Sequence, residues 1–341
     1  MSEAVFDQAR TGDEQAFREL TDPYRAELQL HCYRILGSLT DAEDMLQETL
    51  LAAWRNLDSV TSHSSLRAWL YRIATNRCLN ELRAAKRRGP PEPVPPFQPP
   101  EPTHRSDVTW LQPCPDTLLA GVSEAAPGPE DVYDAKETVR LAFISSLQHL
   151  PPRQAAVLVL RDVLGYPLGD VAAMLEVTTT AAKGALQRAR AALARRRQAD
   201  AVRPASADEL ENGISERFAE AFTSDDIEGV VALLTDDAWL AMPPAPHQYH
   251  GAAAIGAFLR TSAAWRGERH FLLLPTRANR QPAFGCYLPR PDERTADAVG
   301  IVVLTLSGDR IHGITHFLGA GLHERFGLPD SIDPGLPTSS G

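Results

Sequence analysis

A proline-rich stretch divides the chain and limits what it can fold into. Residues 88–103 read RGPPEPVPPFQPPEPT, and eight of these sixteen positions are proline. Because proline lacks a backbone donor and fixes φ, neither a helix nor a sheet strand can run through the stretch. We therefore predict an extended linker over residues 89–130, a helical region before it (1–88), a second helical region after it (131–198), and a fourth region at 208–330.

Composition excludes several classes of protein. No run approaches the ~20 apolar residues that a membrane helix needs, and the N-terminus lacks the basic start and apolar core of a secretory signal. The four cysteines lie far apart without a CxxC pair, which argues against a zinc site and a disulfide framework. We expect a cytoplasmic protein without metal or cofactor. The cysteines are Cys32, Cys78, Cys114 and Cys286.

Charge is distributed unevenly along the chain. The formal net charge is -10, which taken alone argues against binding nucleic acid. Basic side chains nevertheless crowd two short stretches, Arg67 to Arg88 and Lys183 to Arg197. Because salt screens charge effects beyond about 8 Å, a locally basic face can still attract phosphate.

The stretch DAEDMLQETLLAAWRNL has the apolar spacing of one helix face, with Ala42, Leu46 and Leu50 in register. Its other face is acidic. Such a face suits a basic protein partner, although a plain solvated surface would show the same pattern. The polar residues of interest are Asp41, Asp44, Gln47 and Glu48.

The stretch SSLRAWLYRIATNRCLNELRAAKRR predicts a helix with one cationic, amide-rich face. Arginine and lysine bind phosphates, and asparagine pairs with base edges. Trp69 and Tyr71 offer ring faces on which unstacked bases can stack. An ordinary solvated face over core aromatics remains the alternative. The polar residues at helical spacing are Arg72, Asn76, Asn80, Arg83 and Arg87.

Residues 150–190 have the pattern of a helix-turn-helix. Pro151 and Pro152 open one helix, GYPLGDVAAMLEV gives a short helix, EVT is the turn, and Thr178 is the expected N-cap of the last helix. Recognition helices enter the major groove by their N-terminal half. A generic helical hairpin is the alternative. The exposed positions in that half are Thr179, Thr180, Lys183, Gln187 and Arg188.

The fourth region changes character. A helical pattern, ISERFAEAFTSDDIEGVVALL, precedes strand-like stretches AWLAMP, HFLLLPTRA and AVGIVVLTLSGDRIHGITHFL. SGD between VVLTL and RIHGITHF is a hairpin signal. We predict an α+β domain.

In this order, the acidic helix, basic aromatic helix, proline linker and helix-turn-helix resemble the bacterial extracytoplasmic-function (ECF) sigma factors of RNA polymerase. The resemblance implies two all-α DNA-binding domains, the region 2 bundle and the region 4 helix-turn-helix. It also implies two partners, the RNA polymerase core, through its β′ and β subunits, and promoter DNA.

The resemblance also implies roles for particular residues. Asp41, Asp44, Gln47 and Glu48 fall in the helix that docks on a β′ coiled coil, and residues 58–64 fall where a flipped minus-ten base is captured. Glu176 departs from the family pattern, since the turn there often holds glycine. The minus-ten set is Trp69, Arg72, Asn76, Asn80, Arg83 and Arg87. The minus-thirty-five set is Thr179, Thr180, Lys183, Gln187 and Arg188.

WLQPCPDTLL, residues 110–119, places apolar side chains where a linker is expected. It resembles the linker of a sigma-G type subgroup. A surface must cover these side chains, and the expected candidates are the first domain, the third part of the chain or a polymerase channel.

Residues 208–330 resemble the SnoaL-like branch of the NTF2-like fold, helices on a sheet that encloses a pocket. Enzymes on this fold use a carboxylate or histidine as acid or base, but fold alone licenses no activity. We expect a regulatory module that senses a ligand or docks on the same chain, and no enzyme activity. The residues that qualify by type are Asp237, His247, Tyr249, His270 and His316.

Two alternatives stay open at this point. One is a helix-turn-helix regulator that never binds polymerase, and the other is an NTF2-like isomerase or hydrolase fused to a DNA-binding module. The sequence does not say whether an anti-sigma factor or a small molecule is a partner.

Overall fold

The computed structural model describes residues 3–60, 65–85, 97–120, 137–199, 208–291, 295–319 and 321–333. The chain forms two compact units. The first consists of Met1–Gly89 with Thr117–Ala199, and the second of Pro90–Asp116 with Asp200–Gly341. Residues 90–116, which we expected to be linker, thus belong to the second unit.

The first unit begins with four helices: α1 (Glu3–Arg10), α2 (Glu14–Leu36), α3 (Leu39–Arg55) and α4 (Leu66–Ala85). Asp13 caps α2 by accepting hydrogen bonds from the backbone of Gln15 and Ala16. Gly37, in the left-handed region at φ 72°, ends α2. The two helices predicted in this part, α3 and α4, are present. Fully buried side chains of α2 and α4, such as Leu28 and Leu70, form the core between the helices.

The remainder of the first unit carries the helix-turn-helix. Pro152 occupies the first turn of α7, and the Thr178 hydroxyl accepts a hydrogen bond from the Ala181 amide at 3.1 Å, as predicted for a proline start and an N-cap. Glu176 lies in the turn between the last two helices of this unit. The elements are α5 (Asp116–Leu119), a 3-10 turn (Glu137–Val139), α6 (Leu141–Gln148), α7 (Pro152–Leu158), a π-helical turn (Val159–Val163), α8 (Leu168–Met174) and α9 (Thr179–Ala199).

The second unit is a mixed sheet covered by helices, as predicted for an α+β domain. Strand order is β1-β3-β2-β7-β6-β5-β4, with β8 paired to β6. The strands are β1 (His104–Arg105), β2 (Leu234–Ala241), β3 (His247–His250), β4 (Leu272–Ala278), β5 (Gln281–Pro289), β6 (Ala296–Ser307), β7 (Arg310–Leu318) and β8 (Ser331–Ile332). The helices are α10 (Asp208–Thr223), α11 (Ile227–Ala232), α12 (Ala252–Arg266) and α13 (Leu322–Arg325).

The predicted hairpin is present. Ser307 pairs with Arg310, and Gly308 takes the positive φ of 61° that the tight turn requires. Phe218 of α10, Ile255 of α12, and Val302 and Ile314 of the sheet belong to one buried cluster, which forms the core of this unit. Four strands were not predicted: β5, the short β1 supplied by the proline-rich region, and the short strands β3 and β8.

Within the described residues, no helix is both long and apolar enough to cross a membrane. All four cysteines are buried free thiols.

Candidate nucleic-acid interface

The acidic face of α3 is presented to solvent at three of its four predicted positions. Asp44, Gln47 and Glu48 are exposed, whereas Asp41 is half-buried. Glu48 lies 3.6 Å from Arg77 of α4, so one carboxylate of the face is shared with the neighbouring helix. The opposite face of α3 is buried, which fixes the direction in which these groups point.

Leu51 extends this face and was missed by sequence reasoning. It follows Asp44 and Glu48 at helical spacing, and 42% of it is exposed. An apolar side chain that continues a polar stripe is the signal that would have found it. The acidic face therefore ends in an exposed apolar side chain, and such side chains are common in protein interfaces.

Helix α4 brings four of the predicted minus-ten residues onto one face. Arg72, Asn80 and Arg83 are exposed, and Asn76 is half-buried. Arg83 donates a hydrogen bond to the Asn80 side chain at 2.9 Å. Trp69 is half-buried, Arg87 lies outside the described residues, and so do residues 61–64 of the predicted capture loop.

Tyr71 does not offer its ring to bases, contrary to our prediction. It is fully buried, 4.9 Å from the His31 ring and 5.7 Å from the Tyr166 ring, with the Arg67 guanidinium 5.0 Å away. Burial raises the pKa of its phenol. Tyr71 is therefore a core residue. The helical pattern of α4 does not by itself reveal that α2 and the loop holding Tyr166 cover this flank of the helix.

A charged cluster joins α2, α4 and the loop before α8. Arg67 donates to both oxygens of Glu27, at 3.0 and 2.8 Å, and its other nitrogen reaches the Tyr166 hydroxyl at 3.3 Å. Forked arginine–carboxylate pairs of this kind are among the stronger ion pairs. The cluster thus ties the N-terminal helices to the helix-turn-helix within the first unit.

Two predicted minus-ten residues contact the end of α8 and the turn that follows it. Arg72 lies 3.3 Å from the Glu176 carboxylate, and Asn76 donates to the Met174 carbonyl at 3.4 Å. Glu176 has φ 54°, the left-handed conformation that explains why glycine suits this position. Exposed pairs are worth only about 0–1 kcal/mol, so the Arg72–Glu176 pair contributes little to stability.

The five predicted residues of α9 are all exposed. On the opposite side Ala182, Leu186 and Ala189 are buried. Arg190 anchors the helix through two hydrogen bonds, of 2.8 and 2.6 Å, to the buried carboxylate of Asp162. This anchor was not predicted. The exposed set is Thr179, Thr180, Lys183, Gln187 and Arg188.

The middle of the WLQPCPDTLL stretch, residues 114–116, contacts the β4–β5 hairpin of the second unit. This surface was not among those we expected. Cys114 exchanges hydrogen bonds with Asn279, and Pro115 bridges to Ala278. The Asp116 carboxylate accepts from the Arg280 amide at 2.7 Å and lies 3.3 Å from Arg277.

The five acid–base candidates of the second unit are dispersed. Asp237 is largely exposed, and a hydrogen bond from Thr235 lowers its pKa. His270 pairs with Asp225 at 2.8 Å, and the Tyr249 hydroxyl donates to the Pro100 carbonyl at 2.9 Å. His247 lies on β3. Of the five, His316 alone is among the described residues that line the cavity of this unit.

That cavity encloses about 190 Å³. Its walls are mostly aromatic and aliphatic, and its polar groups include the Arg266–Asp225 ion pair and His316. Burial lowers the pKa of His316 to about 4, helped by His323 and Arg266, so the ring is neutral at pH 7.

Comparison with known proteins finds a family match for three regions of the chain. The family described as Sigma-70 region 2 matches residues 20–88, Sigma-70, region 4 matches residues 140–193, and the SnoaL-like domain matches residues 215–313. The ECF RNA polymerase sigma factor SigG of Mycobacterium tuberculosis is 40% identical over 333 residues, which cover 95% of this chain and 86% of that protein.

Other relatives match less of the chain or at lower identity. The ECF RNA polymerase sigma factor SigW of Bacillus subtilis is 27% identical over 190 residues, 54% of this chain and 91% of that protein. Among solved structures, the extracytoplasmic function sigma factor SigJ of Mycobacterium tuberculosis has a TM-score of 0.58 at 22% identity, covering 93% of this chain and all of that one. It supports the fold.

Proposed function

Because the chain belongs to the ECF RNA polymerase sigma factors, we propose a division of labour among the surfaces described above. As a member of this family, it binds the RNA polymerase core and promoter DNA in transcription initiation. In our proposal the acidic face of α3 docks on the β′ subunit, α4 opens the minus-ten element, and α9 reads the minus-thirty-five element.

The geometry of α9 carries the proposal. Its five polar residues face solvent along the N-terminal half, while its opposite face and the Arg190–Asp162 pair hold it in place. A rigidly anchored helix with exposed hydrogen-bonding side chains in that half is the arrangement that enters a major groove. The charge of these side chains suits phosphate and base edges together.

The α3 assignment is tested by affinity for core polymerase. Asp44→Arg with Glu48→Arg reverses the charge of the exposed face, and we expect binding to core, and transcription from a promoter selected in vitro, to fall at least about tenfold. Glu216→Arg with Glu220→Arg is the matched control, because it reverses an exposed pair at the same spacing on α10. Equal losses for both pairs would remove the assignment.

The two DNA assignments are separated by permanganate footprinting of single-stranded thymines. Lys183→Ala with Gln187→Ala should weaken promoter binding upstream and leave strand opening intact once the complex has formed. Asn80→Ala with Arg83→Ala should reduce opening with little change in upstream contacts. Normal melting by the α4 pair would show that this helix does not open DNA.

The C-terminal domain, residues 208–330 in our delimitation, is proposed to modulate initiation rather than to catalyse a reaction. The dispersal of its acid–base candidates favours binding over catalysis, since catalysis needs such groups within reach of one substrate. We propose that the protein works in the cytoplasm, where its polymerase and promoter partners are found. Domain limits of 1–88 and 131–198 for the two promoter-binding parts, joined through 89–130, belong to the same proposal.

A further inference from the structure

We propose that the cavity of the second unit binds an uncharged molecule of one or two rings that carries a single hydroxyl or carbonyl group. In this proposal Phe97 forms the wall that closes over the ligand. The inference concerns a binding site and its chemistry, and it stands or fails independently of the polymerase and promoter assignments.

The size of the cavity sets the size of the ligand. Its volume of about 190 Å³ exceeds the ~150 Å³ of an apolar cavity that accepts benzene. It is lined by rings and branched side chains from α12, β6 and β7, including Phe258, Val302 and Ile314. Such walls favour a flat apolar molecule, because burying apolar surface is the main source of affinity.

The polar groups of the cavity set the charge of the ligand. Arg266 and Asp225 pair with each other, and Asp225 also accepts from His270, so their charges are matched. The Arg266 guanidinium in addition lies 4.2 Å from the Phe271 ring. Among its described residues, the site therefore offers no free opposite charge to a charged ligand, and burying an unpaired charge in an apolar site is costly. An uncharged ligand avoids that cost.

Besides the Arg266–Asp225 pair and Ser262, His316 supplies a polar contact whose outer nitrogen is unpaired in the described part of the chain. Its Nε2 is buried and has no hydrogen-bond partner among the described residues. A buried polar atom left unpaired is destabilising, and a ligand that pairs with it removes this penalty. A neutral imidazole nitrogen either donates or accepts according to its tautomer, so a hydroxyl or a carbonyl of the ligand satisfies it.

Phe97 comes from the region between the two promoter-binding parts of the chain. Its ring lies 5.8 Å from Phe258 and 5.5 Å from Trp265, and all three line the cavity. The chain that follows is fastened nearby: Pro100 accepts from Tyr249, and β1 pairs with β3. A ligand that packs against Phe97 therefore stabilises the docked form of residues 97–105.

Three naphthalene derivatives test the ligand class on the full-length protein by calorimetry. The probes are 1-naphthol, naphthalene and 1-naphthoate, which share one ring system and differ in the polar group. We expect 1-naphthol to bind most tightly, naphthalene about three- to tenfold more weakly for want of one hydrogen bond, and 1-naphthoate most weakly. Tightest binding of 1-naphthoate, or no binding of any probe to folded protein, would overturn the proposal.

Substitution of His316 tests the polar contact. His316→Leu should abolish the preference for 1-naphthol over naphthalene, and His316→Gln, which keeps a hydrogen-bonding group, should retain part of it. His250→Leu is the control, because His250 is exposed on β3 and does not line the cavity. An unchanged preference in both folded His316 variants would show that this nitrogen does not meet the ligand.

Limited trypsin digestion tests the role of Phe97. Arg105 is exposed, and 1-naphthol should slow cleavage after it several-fold in the wild-type protein. Phe97→Ala should weaken 1-naphthol binding and remove the protection. Protection equal in the wild type and Phe97→Ala would contradict the wall assigned to Phe97. Normal promoter-directed transcription by a protein that binds no probe would refute this inference alone.

Discussion

Asn279 and Cys114 exchange two hydrogen bonds across 165 residues of sequence. The Cys114 amide donates to the Asn279 side-chain oxygen, and the Asn279 amide donates to the Cys114 carbonyl, both at 2.8 Å. Asn279 sits fully buried in the left-handed region at φ 56°, which asparagine tolerates better than most residues. The pair fastens residues 97–116 to the turn between β4 and β5.

Removing this contact should release the segment. Asn279→Gly keeps the backbone conformation but leaves the buried Cys114 amide without its acceptor, at a cost of about 1–3 kcal/mol. We expect faster tryptic cleavage after Arg105 and a lower urea midpoint for the second unit. Asn279→Asp retains an acceptor and is the control. If Asn279→Gly and the wild type are cleaved at the same rate, the pair does not hold the segment.

Leu51 should contribute to binding of core polymerase. Leu51→Asp places a charge where the α3 face exposes an apolar side chain, and we expect affinity for core to fall about tenfold, as for an apolar interface anchor. Stability should change by less than about 0.5 kcal/mol, because the side chain is exposed. Leu210→Asp, an exposed leucine on α10, is the matched control. Core affinity that is the same in both variants would place the interface elsewhere.

Glu176 should limit the stability of the helix-turn-helix. Glu176→Gly and Glu176→Ala both remove the ion pair with Arg72, so comparing them isolates the backbone. Because the left-handed conformation costs a residue with a Cβ about 1–2 kcal/mol, we expect Glu176→Gly to be more stable than Glu176→Ala by about 1 kcal/mol in urea unfolding. The reverse order would mean that the turn does not keep φ 54° in solution.

His31 should make the first unit sensitive to acid. His31 is completely buried, and its ring shares a hydrogen bond of 2.8 Å with the Thr75 hydroxyl. Burial, together with the nearby charges of Arg34 and Arg67, lowers the pKa of His31 from 6.5 to about 3. The unfolded chain therefore binds a proton below pH 6.5 that the folded chain does not. Stability is full above pH 6.5 and declines as pH falls towards 3, by about 1.4 kcal/mol per pH unit for this one group.

Urea unfolding at several pH values between 4 and 7 measures this effect. His31→Gln removes the titrating ring and keeps a hydrogen-bonding group for Thr75, so its stability should depend less steeply on pH than that of the wild type. Parallel slopes for the two proteins would show that His31 is not the group responsible.

Sequence patterns predicted those features that depend on neighbouring residues. The helices α3 and α4, the proline start of α7, the Thr178 cap and the β6–β7 hairpin each rest on signals within a few positions. Strand β5 was missed because it is buried on both faces and bounded by prolines, so it lacks the alternation that marks a strand.

Features that depend on distant contacts could not be read in this way. The sequence suggested that bases could stack on Tyr71. That prediction was wrong because Tyr71 is buried by α2 and Tyr166, which are distant from it in the sequence. Phe97 contacts Phe258 in the cavity wall, and Asn279 contacts Cys114. In both cases the partners are more than a hundred positions apart in the sequence. Nothing in the local composition of a proline-rich stretch indicates which surface will cover it.

The interleaving of the two units has a consequence for synthesis. Residues 97–116 leave the ribosome well before their partners, since Thr103 and the His250 amide that it binds are 147 residues apart. The N-terminal unit is complete once residue 199 has emerged, whereas strand β1 must wait for β3. Domains fold as they are synthesised. The nascent protein therefore passes through a stage in which the promoter-binding helices are folded but residues 97–116 have no partner strand to pair with. A message cut short before the last domain would leave the protein permanently at that stage.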